Sequence, residues 1–272
     1  MTTVSPTPTS VKTTAKTLYG LDSPTMTIDS AHMVNGMSGE VKIPLPAYLI
    51  EHEQGLVLFD TGFHPKVCDG PANLFGDRPE TDMIESRPEH KLEHQLAKLG
   101  YSLSDVTHMV VSHIHCDHAG GLYLFPQAKF FVGPGEIEYG QNPNPESQHL
   151  VMDEDFLSED VAGFDWTTVD TPRHDLFGDG AIELLHLPGH TPGQLAMLIR
   201  LPSRNVILSA DVVHLREALT NRVAAPTDWD QEIAVRSIDR LAEIVAEENA
   251  HLWIAHDYRD WAEFGDPLTP LR

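Results

Sequence analysis

Ser112-His113-Ile114-His115-Cys116-Asp117-His118 sets three imidazoles and one carboxylate on a single short stretch, directly after the apolar residues Met109, Val110 and Val111. Imidazole nitrogen and carboxylate oxygen are favoured donors for zinc and its first-row neighbours, and His at i, i+2 and i+5 of a loop can aim several side chains inward together. The stretch points to metal and, if two ions bind, to hydrolysis by a hydroxide shared between them. With 16 His in 272 residues some clustering arises by chance. The weight therefore falls on where the other candidate ligands lie.

Each of those lies just past a short apolar run. His190 follows residues 182–187 through Pro188-Gly189, Asp211 follows 206–208, and His256 follows 252–255. If these runs are strands, loops at one sheet edge bring the groups together on rigid supports. By ligand count, His113, His115 and His190 form a tri-imidazole site, while Asp117, His118 and His256 form a second. Asp211 remains as the carboxylate able to bridge. Water shared between two such ions loses a proton near neutrality, since bound Zn²⁺ lowers a water pKa to about 7. Two divalent ions, Zn²⁺ first, are the expected cofactors, although cobalt, manganese and iron accept the same donors.

The rest of the pattern alternates strands and helices, which indicates an α/β domain. Residues 43–50 and 56–59 read as two strands of a hairpin around Glu53-Gln54-Gly55, the second ending in Asp60-Thr61-Gly62. Residues 64–87 are polar and rich in Gly, Pro and Asp, suggesting a lid or substrate loop. Pro88 opens a helix with Leu92, Leu96 and Leu99 on one stripe and Gly100 as its stop. Further strands are expected at 109–111 and 130–132, and residues 133–173 resist assignment. A helix over 229–248 turns Ile233, Ile238, Leu241 and Val245 inward. No fixed-period repeat or internal boundary divides the chain, so a flexible tail (1–16) rich in Thr, Ser and Pro is expected before one domain (17–272).

Composition narrows the partners. Eighteen Lys+Arg against 41 Asp+Glu give a net charge of −23, which argues against nucleic acid and anionic membranes. The two cysteines, Cys68 and Cys116, supply no disulfide framework, so a reducing cytoplasmic setting is expected. Cys116 is expected to pack rather than to bind metal. No apolar run reaches membrane-spanning length. The sequence does not fix an oligomeric state, leaving a homodimer open.

The order His113-Ile114-His115-Cys116-Asp117-His118, then His190, Asp211 and His256, resembles the signature of the metallo-β-lactamase superfamily. The likeness extends upstream to Leu58-Phe59-Asp60-Thr61-Gly62 and covers most of residues 40–260. It implies an αβ/βα four-layer sandwich, two mixed β-sheets flanked by helices, with metals at one edge. It also implies that Asp60 steadies a His ligand from behind, as carboxylates do in metal sites.

Within that superfamily several branches fit poorly. True β-lactamases usually lack the bridging Asp and are exported; glyoxalase-II-like thioesterases carry a helical region after the last His, where little chain remains here. Family nucleases need basic surface or added domains. Closest is the N-acyl-homoserine lactone lactonase group, which the chain resembles in Glu40-Val41-Lys42-Ile43-Pro44, Leu49-Ile50-Glu51-His52, residues 112–121 and Leu187-Pro188-Gly189-His190-Thr191-Pro192-Gly193. The resemblance implies opening of the lactone ring of quorum-sensing signals. Many members carry Tyr three residues after the bridging Asp, where this chain has His214, whose N–H can still donate to a developing oxyanion. In the mechanism expected, His214 orients the carbonyl, the bridging hydroxide attacks, and Asp117 protonates the departing ring oxygen. Phe63, Phe75, Met83 and Phe156 are candidates for an acyl-tail groove. A related dinuclear hydrolase of another lactone or an organophosphate triester remains the alternative, and a metal-binding protein without activity a more distant one.

Overall fold

The computed structural model describes residues 13–152, 155, 161, 163–264 and 266–272. Its first sheet runs β1 (Thr17–Gly20), β4 (Tyr48–His52), β5 (Gly55–Phe59), β7 (Val106–Val110), β8 (Lys129–Val132) and β9 (Asp165–Thr168). The first three strands pair antiparallel and the rest parallel. The second sheet runs β10 (Arg173–Asp175), β11 (Ile182–His186), β12 (Leu195–Arg200), β13 (Asn205–Leu208) and β14 (Ala250–Trp253). It is antiparallel until β13, which pairs parallel with β14. A small third sheet, β3 (Glu40–Pro44), β2 (Thr25–Asp29) and β6 (Ile84–Glu85), is added to the two expected.

Strand periodicity explains the layers. Val57 and Phe59 of β5 face a central core shared with Ile182, Leu184, Met197, Ile199 and Trp253 of the second sheet. Their neighbours Leu56 and Leu58 face the opposite way, against Leu92 and Leu96 of the helix Leu92–Lys98. On the far side, Leu198 and Ile207 meet Ile238, Leu241 and Ile244 of the helix Gln231–Glu247. Both sheets are therefore buried on both faces, which is why their strands read as unbroken apolar runs. Each fully buried Leu, Ile or Phe contributes about 1.5–3 kcal/mol. The result is the expected four-layer αβ/βα sandwich.

Local differences have local causes. Residues 43–50 form two strands in different sheets, because Pro44 and Pro46 lack the N–H donors that a continuous ladder needs. The 64–87 stretch contains the short helices Ala72–Phe75 and Glu80–Met83. In the helix Gln231–Glu247, capped by Asp230 accepting from the Ile233 N–H at 2.9 Å, the inner stripe is Ala234, Ile238, Leu241 and Ile244. Ile233 and Val245 are only half-buried. The stripe is rotated because the helix backbone at Ala234 lies against Gly189, where a Cβ would come within 2.3 Å of the Ala234 Cα. Residues 13–16, expected as tail, are bound: Ala15 is buried and its N–H donates to the Arg200 carbonyl, while Lys16 N–H donates to the Glu51 carbonyl. Residues 1–12 lie outside the described residues. β1, β2 and β12 were not anticipated, although β12 is an apolar run between Pro192-Gly193 and Pro202-Ser203.

Candidate metal centre

Five strand ends supply the site. Asp60 follows β5, the His113–His118 stretch follows β7, and His190, Asp211 and His256 follow β11, β13 and β14. Asp60 and Ala210 both take positive φ (62° and 43°) where the chain leaves its strand; left-handed backbone at non-glycine residues costs about 1–3 kcal/mol and concentrates at functional sites. Here it turns Asp60 and Asp211 into the cluster.

The seven groups singled out as ligands converge. Ligand atoms of His113, His115 and His190 lie within 4.8 Å of one another, as do those of Asp117, His118 and His256, and those of His113, His118 and Asp211. Asp211 is central: its carboxylate stands 3.1 Å from His256 Nε2, 3.2 Å from His118 Nε2, 3.2 Å from His214 Nε2 and 3.6 Å from His190 Nε2. Asp117 is the least buried of the seven, with Oδ2 3.6 Å from His118 Nε2 and 3.9 Å from His256 Nε2.

Each imidazole is held by one nitrogen and offers the other. The Ser112 hydroxyl donates to Asp60 Oδ2 at 2.7 Å, which leaves its oxygen to accept from His113 Nδ1–H at 3.0 Å. His118 Nδ1–H donates to Asp60 Oδ2 (2.9 Å), His190 Nδ1–H to Asp228 Oδ1 (2.8 Å) and His256 Nδ1–H to the Pro44 carbonyl (2.8 Å). His115 meets the Tyr139 hydroxyl with Nε2 at 3.2 Å and turns Nδ1 to within 3.0 Å of His190 Nε2. Asp60 thus accepts from the ring of His118. Such partners fix tautomer and ring orientation.

The donor set fits divalent ions. His113 Nε2 is buried without a hydrogen-bond partner among the described residues, a costly state unless something else is bound. Burial first, then the neighbouring imidazoles, hold the pKa of His113 and His115 well below the ordinary His value, keeping them in the neutral form that metals require. Burial opposes charge on Asp211, but His256, His118 and His214 outweigh it and hold the carboxyl well below its usual range. Burial likewise works against protonation of His118, and the carboxylates of Asp211 and Asp117 override it, raising its pKa.

A cavity of about 270 Å³ opens onto this cluster. Its polar wall includes His115, Asp117, Asp211, His214 and His256, and its apolar wall includes Met26, Ile28 and Ile43 of the small sheet with Phe63, Phe75 and Met83. Phe63 and Phe75 also pack edge-to-face, 5.5 Å apart, in the adjoining core, so they both line the cavity and pin its loop. Phe156 lies outside the described residues. Cys116 packs in that core as expected, its thiol pushed well above the ordinary value by burial.

Sequence reasoning missed Ser112, Asp228, Tyr139 and the Pro44 carbonyl. Asp228 sits among acidic residues before a helix, where the dipole explains it equally well, and a carbonyl leaves no trace in sequence. The small sheet, which supplies much of the apolar wall, was likewise unsigned.

Two mixed sheets between helices, with imidazoles and carboxylates gathered at one edge, define a metal-centred sandwich. Residues 44–248 match the family model of the metallo-beta-lactamase superfamily, and the chain belongs to that superfamily. It is 29% identical over 258 residues to the N-acyl homoserine lactonase AttM of Rhizobium radiobacter, covering 91% of this chain and 95% of that one. To AiiA, the N-acyl homoserine lactonase of Bacillus thuringiensis subsp. kurstaki, it is 26% identical over 248 residues, covering 90% and 94%. Among solved structures, a single-site mutant of B. thuringiensis AiiA with N-decanoyl-L-homoserine bound at its active site superposes with a TM-score of 0.82 at 23% identity, over 95% of this chain and 100% of that one. AidC, a dizinc quorum-quenching lactonase, gives 0.67 at 17% identity over 90% of each.

Proposed function

We propose that the chain is a metal-dependent hydrolase that opens the lactone ring of N-acyl-homoserine lactones. The observation that carries this reading is the apolar-walled cavity ending on the imidazole–carboxylate cluster. That shape suits a molecule with a polar ring and an aliphatic tail. Tail atoms against Met26, Ile28, Phe63 and Phe75 contribute about 0.8 kcal/mol per buried methylene, and the lactone is left at the polar end. The lactonase names of AttM and AiiA support the same substrate class.

In this reading His113, His115 and His190 would hold one divalent ion and Asp117, His118 and His256 the other, with Asp211 available to both and Zn²⁺ the first candidate. When bound, such ions supply Lewis acidity and a water deprotonated near neutral pH. The chain's own residues do the rest. His214, buried on the cavity wall, directs an imidazole N–H to the lactone carbonyl oxygen as negative charge grows there. Asp117, the most exposed carboxylate of the cluster, takes the proton released by the attacking water and returns it to the ring oxygen as the C–O bond breaks. The Phe63–Phe75 pair and the small sheet keep bulk water from the tail.

The test is a pH-stat assay on metal-quantified protein with lactones of graded tail length. Acid release that weakens as the tail shortens is expected; no release at any length overturns the reading. Turnover of paraoxon or aromatic lactones exceeding it by orders of magnitude reassigns the chain to the related hydrolases. His214→Phe is expected to lower kcat about 100-fold with metal content unchanged, while His214→Gln, which keeps a donor, retains more. A kcat unmoved by either change removes His214 from the mechanism.

A further inference from the structure

We propose that Glu136 is a positioning residue of the metal centre, a single buried carboxylate that sets the spacing of the two loops carrying His113, His115 and His190. The inference rests on reading those three as ligands to one ion. Glu136 is fully buried at the start of the helix Glu136–Gln141. Its Oε1 accepts the N–H of Ile114, the residue between His113 and His115, at 2.9 Å. Its Oε2 accepts the N–H of Gly193, on the loop after His190, at 2.8 Å.

The loops approach the Glu136 side chain closely. A Cβ on Gly193 would stand 2.6 Å from the Glu136 Cβ and 2.8 Å from Oε2, and a Cβ on Gly133 would stand 1.8 Å from the Gly193 carbonyl oxygen. The backbone of the His190 loop therefore rests directly on the carboxylate. One turn along the same helix, Tyr139 brings its hydroxyl to His115 Nε2, so this helix touches the tri-imidazole group through both its loop backbone and one ring.

A purely structural role explains this poorly. Burying a carboxylate is unfavourable, and here burial pushes the Glu136 carboxyl up to about 7 despite the opposing pull of the Thr191 side chain and the Ile114 and Gly193 N–H groups. An apolar or amide side chain avoids that cost. Only a carboxylate offers two acceptors on one rigid fork to N–H donors from separate loops.

The experiment is cobalt titration of metal-free wild-type protein and of Glu136→Gln, followed by visible spectroscopy and with the melting temperature of each metal-free form. The amide keeps one acceptor and turns an NH₂ toward the other N–H. It is expected to weaken one of two cobalt ions about 10- to 100-fold and to remove that ion's absorption bands while the other's persist. Glu136→Asp keeps both acceptors at shorter reach and is expected to bind with intermediate affinity and shifted bands. Wild-type affinity for both ions in Glu136→Gln overturns the proposal. So does equal weakening of both ions in step with the melting temperature, which marks a structural role only. A wild type that takes up no cobalt overturns the metal reading itself, and this inference with it.

Discussion

Asp211→Asn is expected to lower kcat/KM by at least about 1,000-fold, or about 4 kcal/mol of transition-state stabilisation, and to reduce bound metal below two ions per chain. The substitution preserves shape and removes only charge. In the protein one carboxylate, 5% exposed, faces five imidazoles: His256, His118 and His214 at 3.1–3.2 Å, His190 at 3.6 Å and His113 at 4.0 Å. Asn leaves that imidazole array without its shared anion, and an amide is a poor bridge between cations. Steady-state kinetics on lactones, paired with metal analysis, decide it. An Asn variant within tenfold of wild type, loaded with two ions, removes Asp211 from the shared position.

Stripping the protein with a chelator is expected to abolish hydrolysis and to lower the melting temperature by about 10 °C or more, both restored by adding divalent metal. An ion at a thousandfold excess over its Kd adds about 4 kcal/mol to folding stability, and in a domain near this size each kcal/mol is worth about 2–4 °C. Part of the loss is offset. Without ions the depressed pKa of Asp211 and the raised pKa of His118 let the two pair as opposite charges 3.2 Å apart. Calorimetry before and after chelation measures the difference. A melting temperature unmoved by verified removal of all metal rules out ions as part of the folded centre.

What was legible in the sequence was local chemistry and periodicity. The spacing of His113, His115, Asp117 and His118, and the positions of His190, Asp211 and His256 after apolar runs, sufficed to group seven residues that the structure places around one point. Two-faced burial made β5, β11 and β13 plain, since every residue of such a strand wants to be apolar. What stayed hidden depends on long-range placement. The division at Pro44 and Pro46 was written in the sequence, but strand propensity on either side masked it. The helix Gln231–Glu247 turned its stripe because Gly189 admits close approach, a contact that no helical period encodes. The groups behind the imidazoles, Asp228 and the Pro44 carbonyl, become recognisable only once the rings they hold are in place.

The hydrogen bond from His256 to the Pro44 carbonyl joins positions 212 residues apart, and that span bears on the order of events during synthesis. A chain emerging at about 5–20 residues per second exposes the Ser112–His118 stretch many seconds before residue 256 exists. Throughout that interval the early imidazoles have neither His190, Asp211 nor His256 beside them, and an ion met then finds an open, weak site. On the proposed ligand assignment, full coordination waits until β14 has paired with β13 and the last ring has found the end of β3. Stable uptake of metal is thus a late event, and it reports that both halves of the polypeptide have been made and correctly joined.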